Sequence, residues 1–146
     1  MPTPLLVDTS LWIEFYRPQG DPRARQALLH ALQEREVVTV APVVAELLLG
    51  VASARQAGAL LADLGALRLL PLSLPEAEAA AQLGRRLREA GRPIPTVDLL
   101  IAGAALAHGC ELWHWGDEHY RRAHQAGGPP HRDLRQEGEA AAAPSS

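Results

Sequence analysis

The sequence predicts an α/β domain, a three-layer α/β/α arrangement around a mostly parallel sheet of four or five strands. Three observations predict it. Short runs at residues 5–7, 37–40, 67–72 and 111–115 have the length of buried strands, and the second of them, Val37–Val40, is β-branched throughout. Stretches with apolar residues at helical spacing separate them. At 146 residues the chain is long enough for one core and too short for a second catalytic domain. Strands alternating with helices imply right-handed crossovers and a sheet covered on both faces.

The elements follow in order. Leu5, Leu6 and Val7 form the first strand, and a helix starts at Asp8 or Thr9 and carries the amphipathic residues 11–16. Residues 18–22 make a proline-bounded turn, and Leu28, Leu29 and Leu32 mark a second helix. The second strand, residues 37–40, ends before Pro42, whose missing N–H suits the first turn of a helix over residues 43–49, with Gly50 as its stop. Residues 56–64 and 76–89 read as helices flanking the third strand at 67–72. Thr96 is expected to cap a helix of small residues through about His108, stopped by Gly109. The fourth strand covers 111–115, and Asp117 opens a last helix. Beyond Ala126 the composition turns to Gly-Gly-Pro-Pro, scattered charge and Ala/Ser, which predicts a flexible C-terminal tail over 126–146 after a domain over 1–125.

Composition narrows the function. Hydrophobic residues make up 47% and charged residues 21%, a balance that supports a packed core. A formal net charge of -3 excludes a bulk positive field, so any nucleic-acid binding must be local. All 14 basic residues are arginines, the better fork for phosphate. The single cysteine, Cys110, excludes an intramolecular disulfide and a thiolate zinc cluster within one chain. Residues 1–4 do not open a signal peptide, and no apolar run approaches the roughly 20 residues that span a bilayer. A cytoplasmic protein without membrane contact is expected.

Four acids carry the chemistry. Asp8 follows the first strand, Glu46 and Asp98 lie in the first turns after Pro42 and Thr96, and Asp117 follows the fourth strand. Each stands where a strand or its loop hands over to a helix N-terminus. Singly, each reads as a cap or a partner of the helix dipole. Together they would gather at the carboxyl end of one sheet, where ligands of such sheets bind. Four carboxylates there repel unless a cation neutralises them. Mg2+ or Mn2+ suits such a pocket, because both take oxygen ligands and keep several waters. Ser10 could add a hydroxyl at the same place. Hydrolysis of a phosphodiester is the chemistry a carboxylate-rich divalent site favours.

The blocks LLVDTSLWIEFYR, APVVAELLLGV and GRPIPTVDLLIAGAALAHGCELWHWGDEHYRRA, in that order and spacing, resemble the PIN-domain ribonucleases, most closely the VapC toxin subunits of VapBC type II toxin-antitoxin modules. The resemblance covers residues 4 to about 125, and the third block is its most specific part. It implies a single α/β/α domain acting as a Mg2+- or Mn2+-dependent endoribonuclease that cuts single-stranded or looped RNA with metal-activated water. By motif position its acids fall on Asp8, Glu46, Asp98 and Asp117. Asp8, Asp98 and Asp117 would hold the metal directly or through water, Glu46 would be a ligand or orient the attacking water, and Ser10 would support the first metal. The resemblance also implies a homodimer and a cognate antitoxin whose tail blocks the acidic site. Two positions depart from the family pattern: Trp115 stands where a threonine or serine is often found, and His119 where a further acid is often found. The family commonly closes with a fifth strand, for which this chain offers only residues 131–134.

Other residues are weighed against these. His114 and His119 flank Asp117 and read as structural side chains rather than metal ligands. Arg85, Arg86, Arg88 and Arg92 could line an RNA path, or form a solvated helix face. Trp12, Phe15 and Tyr16 serve as aromatic anchors for an antitoxin peptide or as core. The competing functions are a PIN nuclease that processes RNA without an antitoxin, a silent RNA-binding subunit, and a receiver-like phosphoacceptor. The last lacks any lysine to hold a phosphoryl group.

Overall fold

Leu5, Leu6 and Val7 are each fully buried. Successive strand residues point to opposite faces, so a strand with no exposed residue is covered on both. The computed structural model, which describes residues 3–142, shows how. The chain runs β1 (Leu5–Val7), α1 (Thr9–Tyr16), α2 (Pro22–Glu34), β2 (Val37–Thr39), α3 (Ala41–Leu49), α4 (Ala54–Gly65) and β3 (Arg68–Leu69). It continues through α5 (Leu74–Glu89), α6 (Thr96–Ala107), β4 (Glu111–His114), α7 (Glu118–Gln125), β5 (His131–Asp133) and α8 (Leu134–Ala142). The sheet has five parallel strands in the order β3-β2-β1-β4-β5. This is the expected α/β architecture, with five strands of the four or five expected.

Register places the two strands that matter side by side: Leu5, Leu6 and Val7 of β1 pair with Glu111, Leu112 and Trp113 of β4. Their carboxyl ends, and the residues that follow them, therefore lie together. Helix α6 precedes β4 and returns its N-terminus to the same end. It packs closely on α5: a Cβ on Gly103 would stand 2.7 Å from the Ala80 nitrogen, so only glycine permits the approach. Ala102, Ala104 and Ala105 around it are fully buried. The N-cap of α6 is Pro95, with Thr96 as its first residue, one position earlier than expected.

Two segments differ from the sequence-based expectation. The third strand shrinks to Arg68–Leu69, exposed at one edge of the sheet. Within the stretch 126–146 expected as a flexible tail, residues 131–142 supply β5 and α8. Leu112 N–H donates to Pro130 C=O at 2.9 Å, β5 pairs with β4, and Leu134 enters the core at 7% exposure. Backbone pairing, the Leu134 anchor and the side chains of His131 and Asp133 hold this segment, and none of these needs an apolar run. Residues 143–146 of that expectation, and residues 1–2, lie outside the described residues. Among the described residues no helix is long and apolar enough to cross a membrane.

Candidate metal centre

Asp8 is the residue at which β1 becomes α1. Its backbone N–H donates to Trp113 C=O at 2.9 Å, a last rung of the β1–β4 ladder, and its side chain caps α1. Oδ2 accepts from the Ser10 N–H at 3.0 Å and the Ser10 hydroxyl at 2.6 Å. The Ser10 Oγ in turn accepts from the Trp115 N–H at 3.0 Å. Ser10 thus joins the carboxyl ends of β1 and β4 through one hydroxyl. The contact made at position 115 is through its backbone, which a tryptophan can supply as well as a threonine.

Asp117 is set by the turn after β4. Gly116 has φ +71°, a conformation that favours glycine, and its N–H donates to Asp133 Oδ1 at 2.8 Å. Asp117 then caps α7, Oδ1 accepting from the His119 N–H at 2.9 Å. Its own N–H donates to His114 Nδ1 at 3.1 Å, and His114 Nε2 lies 2.9 Å from His131 Nδ1. His114 is buried, and burial pushes its pKa below the ordinary value. Its neutral ring supplies the acceptor that the Asp117 amide needs, a structural role.

Asp98 lies in the first turn of α6, facing both of the others. Its Oδ2 is 2.5 Å from His119 Nδ1, which is also 3.3 Å from Asp117 Oδ1. One donor atom from each of Asp98, Asp117 and His119 lies within 4.8 Å of the others. Burial raises the Asp98 carboxyl above the usual range; the His119 hydrogen bond opposes this, while the charges of Asp117 and Asp8 add to it. This is the repulsion expected of carboxylates that share a site.

The link from Asp98 to Asp8 is Tyr120. Its buried hydroxyl donates to Asp8 Oδ1 at 2.6 Å and stands 3.5 Å from Asp98 Oδ1. Burial, then the Asp8 and Asp98 charges, push that hydroxyl well above its ordinary pKa, so it remains a donor. Glu46 stands further out. It is exposed on α3, and Oε1 accepts from the Thr9 hydroxyl at 2.9 Å. Asp8, Asp98, Asp117 and Ser10 are therefore brought together, with Glu46 reached through Thr9.

Sequence reasoning passed over Tyr120 and Thr9 and set His119 aside. The i, i+2 and i, i+3 spacing of His119 and Tyr120 from Asp117, at the start of one helix, was the available signal. Two of the arginines have partners within the domain: Arg86 Nε donates to Ala126 C=O at 2.6 Å and Arg92 to Gln125 Oε1 at 3.4 Å, tying α5 and the loop after it to the end of α7. Arg85 is exposed. Trp12 is core at 2% exposure, whereas Phe15 is half-buried and Tyr16 exposed. Tyr16 lines a groove of about 510 Å³ together with Ile13, Leu47, Leu60 and Glu46.

A five-stranded parallel sheet with acids gathered beyond the carboxyl ends of its two central neighbours defines the class. A family model described as PIN domain matches residues 5–125, and the chain belongs to that family. Ribonuclease VapC18 of Mycobacterium tuberculosis is 31% identical over 128 residues, covering 85% of this chain and 90% of that protein. Among solved structures, FitAcB from Neisseria gonorrhoeae aligns with a TM-score of 0.73 at 25% identity, covering 89% of this chain and 97% of that one. VapBC-1 from nontypeable Haemophilus influenzae gives 0.73 at 19% identity over 90% and 98%, a likeness of fold.

Proposed function

We propose that this protein is a metal-dependent endoribonuclease of the VapC kind, the toxin of a type II toxin-antitoxin pair, acting in the cytoplasm. The observation that carries the reading is the convergence of Asp98, Asp117 and His119 within 4.8 Å, with Asp8 joined to Asp98 through the Tyr120 hydroxyl. The donor set fits Mg2+ or Mn2+: it is rich in carboxylate oxygen and partly open to solvent, and burial together with the neighbouring Asp117 and Asp8 charges raises Asp98. A relative with ribonuclease in its name, matched over nine-tenths of its length, supports the substrate class.

Asp98 and Asp117 would hold the ion, and Asp8 would meet it directly or through water. When bound, the ion polarises a phosphoryl oxygen and lowers the pKa of water. Ser10 and Tyr120 fix the orientation of Asp8, so its carboxylate is positioned before RNA arrives. Thr9 holds Oε1 of Glu46, which presents Oε2 to orient the attacking water and take its proton. The single O–H of Tyr120 is donated to Asp8, which leaves no donor for the phosphate, and the side chain serves to position. Arg85, Arg86 and Arg92, on α5 and the loop leading to α6, supply the local positive charge for the RNA backbone. The homodimer and the antitoxin come with the VapC reading. The groove lined by Tyr16 and Glu46, with Ile13, Leu47 and Leu60 as its apolar wall, is the surface that an antitoxin segment would occupy.

The test is cleavage of structured and single-stranded RNA by the purified chain with Mg2+ or Mn2+. Asp98→Asn and Asp8→Asn should each lower the rate by at least about a hundredfold, an ordinary loss for removing a group that stabilises developing charge. Cleavage that persists in EDTA, or is unchanged in Asp98→Asn, refutes the reading.

A further inference from the structure

The compact donor set is not all oxygen. Nδ1 of His119 faces two carboxylates from different elements, Asp98 on α6 at 2.5 Å and the α7 cap Asp117 at 3.3 Å. A histidine that served only to pair with an acid would need one of them. The backbone fixes this aim, because the His119 N–H is itself held by Asp117 Oδ1 at 2.9 Å, so ring and carboxylate leave the same turn together. The ring is 35% exposed, which leaves the set open to an ion arriving from solvent. Asp8 is placed differently: it is 4% exposed, and both of its oxygens already accept from Ser10 and Tyr120.

We propose that His119 Nδ1 is a nitrogen ligand of the ion shared with Asp98 and Asp117, and that this nitrogen makes the centre select Mn2+ over Mg2+. The proposal rests on the metal-dependent reading above and deepens it. Mg2+ demands oxygen in near-ideal octahedra and gives up water reluctantly, so an imidazole nitrogen in the set counts against it. Mn2+ accepts carboxylate oxygens and lies closer to the first-row ions for which imidazole is a good ligand. An all-carboxylate centre would keep less of this discrimination. An aspartate at this place would give such a centre, so the residue at 119 sets which ion is preferred.

The experiment titrates Mn2+ into the whole chain by electron paramagnetic resonance, with Mg2+ as competitor, and examines the bound ion by pulsed methods for coupling to 14N. Wild type is expected to show the coupling of a directly bound imidazole. His119→Gln and His119→Asp should lose it, and in His119→Asp the Mn2+ preference over Mg2+ should fall roughly tenfold as oxygen replaces nitrogen. Both substitutions sit in the first turn of α7, where Gln is tolerated and Asp favourable, and circular dichroism checks the fold. Should either variant misfold, the 14N coupling of wild type alone decides. Bound Mn2+ without 14N coupling, or an unchanged preference in a folded His119→Asp, overturns the proposal and leaves the metal-dependent reading standing. No binding of either ion by wild type overturns both.

Discussion

Replacing Tyr120 by phenylalanine removes one oxygen and nothing else from the centre. That oxygen donates to Asp8, whose 4% exposure keeps water from taking its place. A hydrogen bond to a charged acceptor contributes about 1.5–3 kcal/mol, so a loss of about 2 kcal/mol is expected near pH 8. For a chain of this size that lowers Tm by roughly 6 °C. The pH dependence gives a second, independent reading. Tyr120 stays protonated in the fold well above its ordinary value, chiefly because it is buried, while in the unfolded chain it ionises near pH ~10. Stability from a group whose folded pKa is raised is present below the unfolded pKa and lost as pH rises past it. Above pH ~10 the unfolded chain sheds a proton that the folded chain keeps, and wild type loses about 1.4 kcal/mol per pH unit from this residue. Phenylalanine has no such proton. The gap between the two proteins should therefore close by roughly 1.4 kcal/mol between pH ~8 and pH ~11. The chain contains no lysine, so few other groups titrate in that range, and Tyr16 and Cys110, both also raised by burial, are common to the two proteins. Urea unfolding at the two pH values measures both effects. A variant as stable as wild type at pH ~8, or a gap that stays constant with pH, would refute the reasoning.

Two further outcomes follow from the geometry. Ser10→Ala deletes the hydroxyl between Asp8 and the Trp115 amide and should cost about 1–2 kcal/mol, with faster hydrogen exchange at Trp115; unchanged protection of that amide would contradict the bridge. Gly103→Ala would put a methyl 2.9 Å from the Ala80 Cα and Cβ, forcing α5 from α6 at a cost of about 1–3 kcal/mol, read as a fall in Tm.

Much of the architecture was legible because the central strands carry a strong local signal. Leu5, Leu6 and Val7, and Val37 and Val38, are buried on both faces, and continuous apolar runs say so directly. The acids were legible for a related reason: Asp8 and Asp117 are helix caps at strand ends, positions that sequence marks well. β5 was obscured because His131, Arg132 and Asp133 form a polar edge strand held by backbone pairing to β4, which leaves no apolar trace. Tyr120 and Thr9 were missed for the opposite reason. Each reads locally as an ordinary helix residue, and its role depends on a partner 112 or 37 positions away. His119 was set aside with His114 as a structural side chain; its ring leaves the first turn of α7 and meets Asp98 from α6. Pairwise proximity across the sheet, rather than residue type, decided these cases.

The bonds around Asp8 carry a temporal consequence. Its partners, the hydroxyls of Ser10 and Tyr120 and, behind Ser10, the Trp115 amide, come from both ends of the domain, with sequence separations of 105 and 112 between the halves. Contacts so distant form only after long loops have closed. A growing polypeptide on the ribosome carries Asp8 more than a hundred residues before the tyrosine and the turn that orient it, which arrive only with α7. The acidic centre is thus completed only once α7 has been made, and every nascent intermediate that ends before Tyr120 is without it.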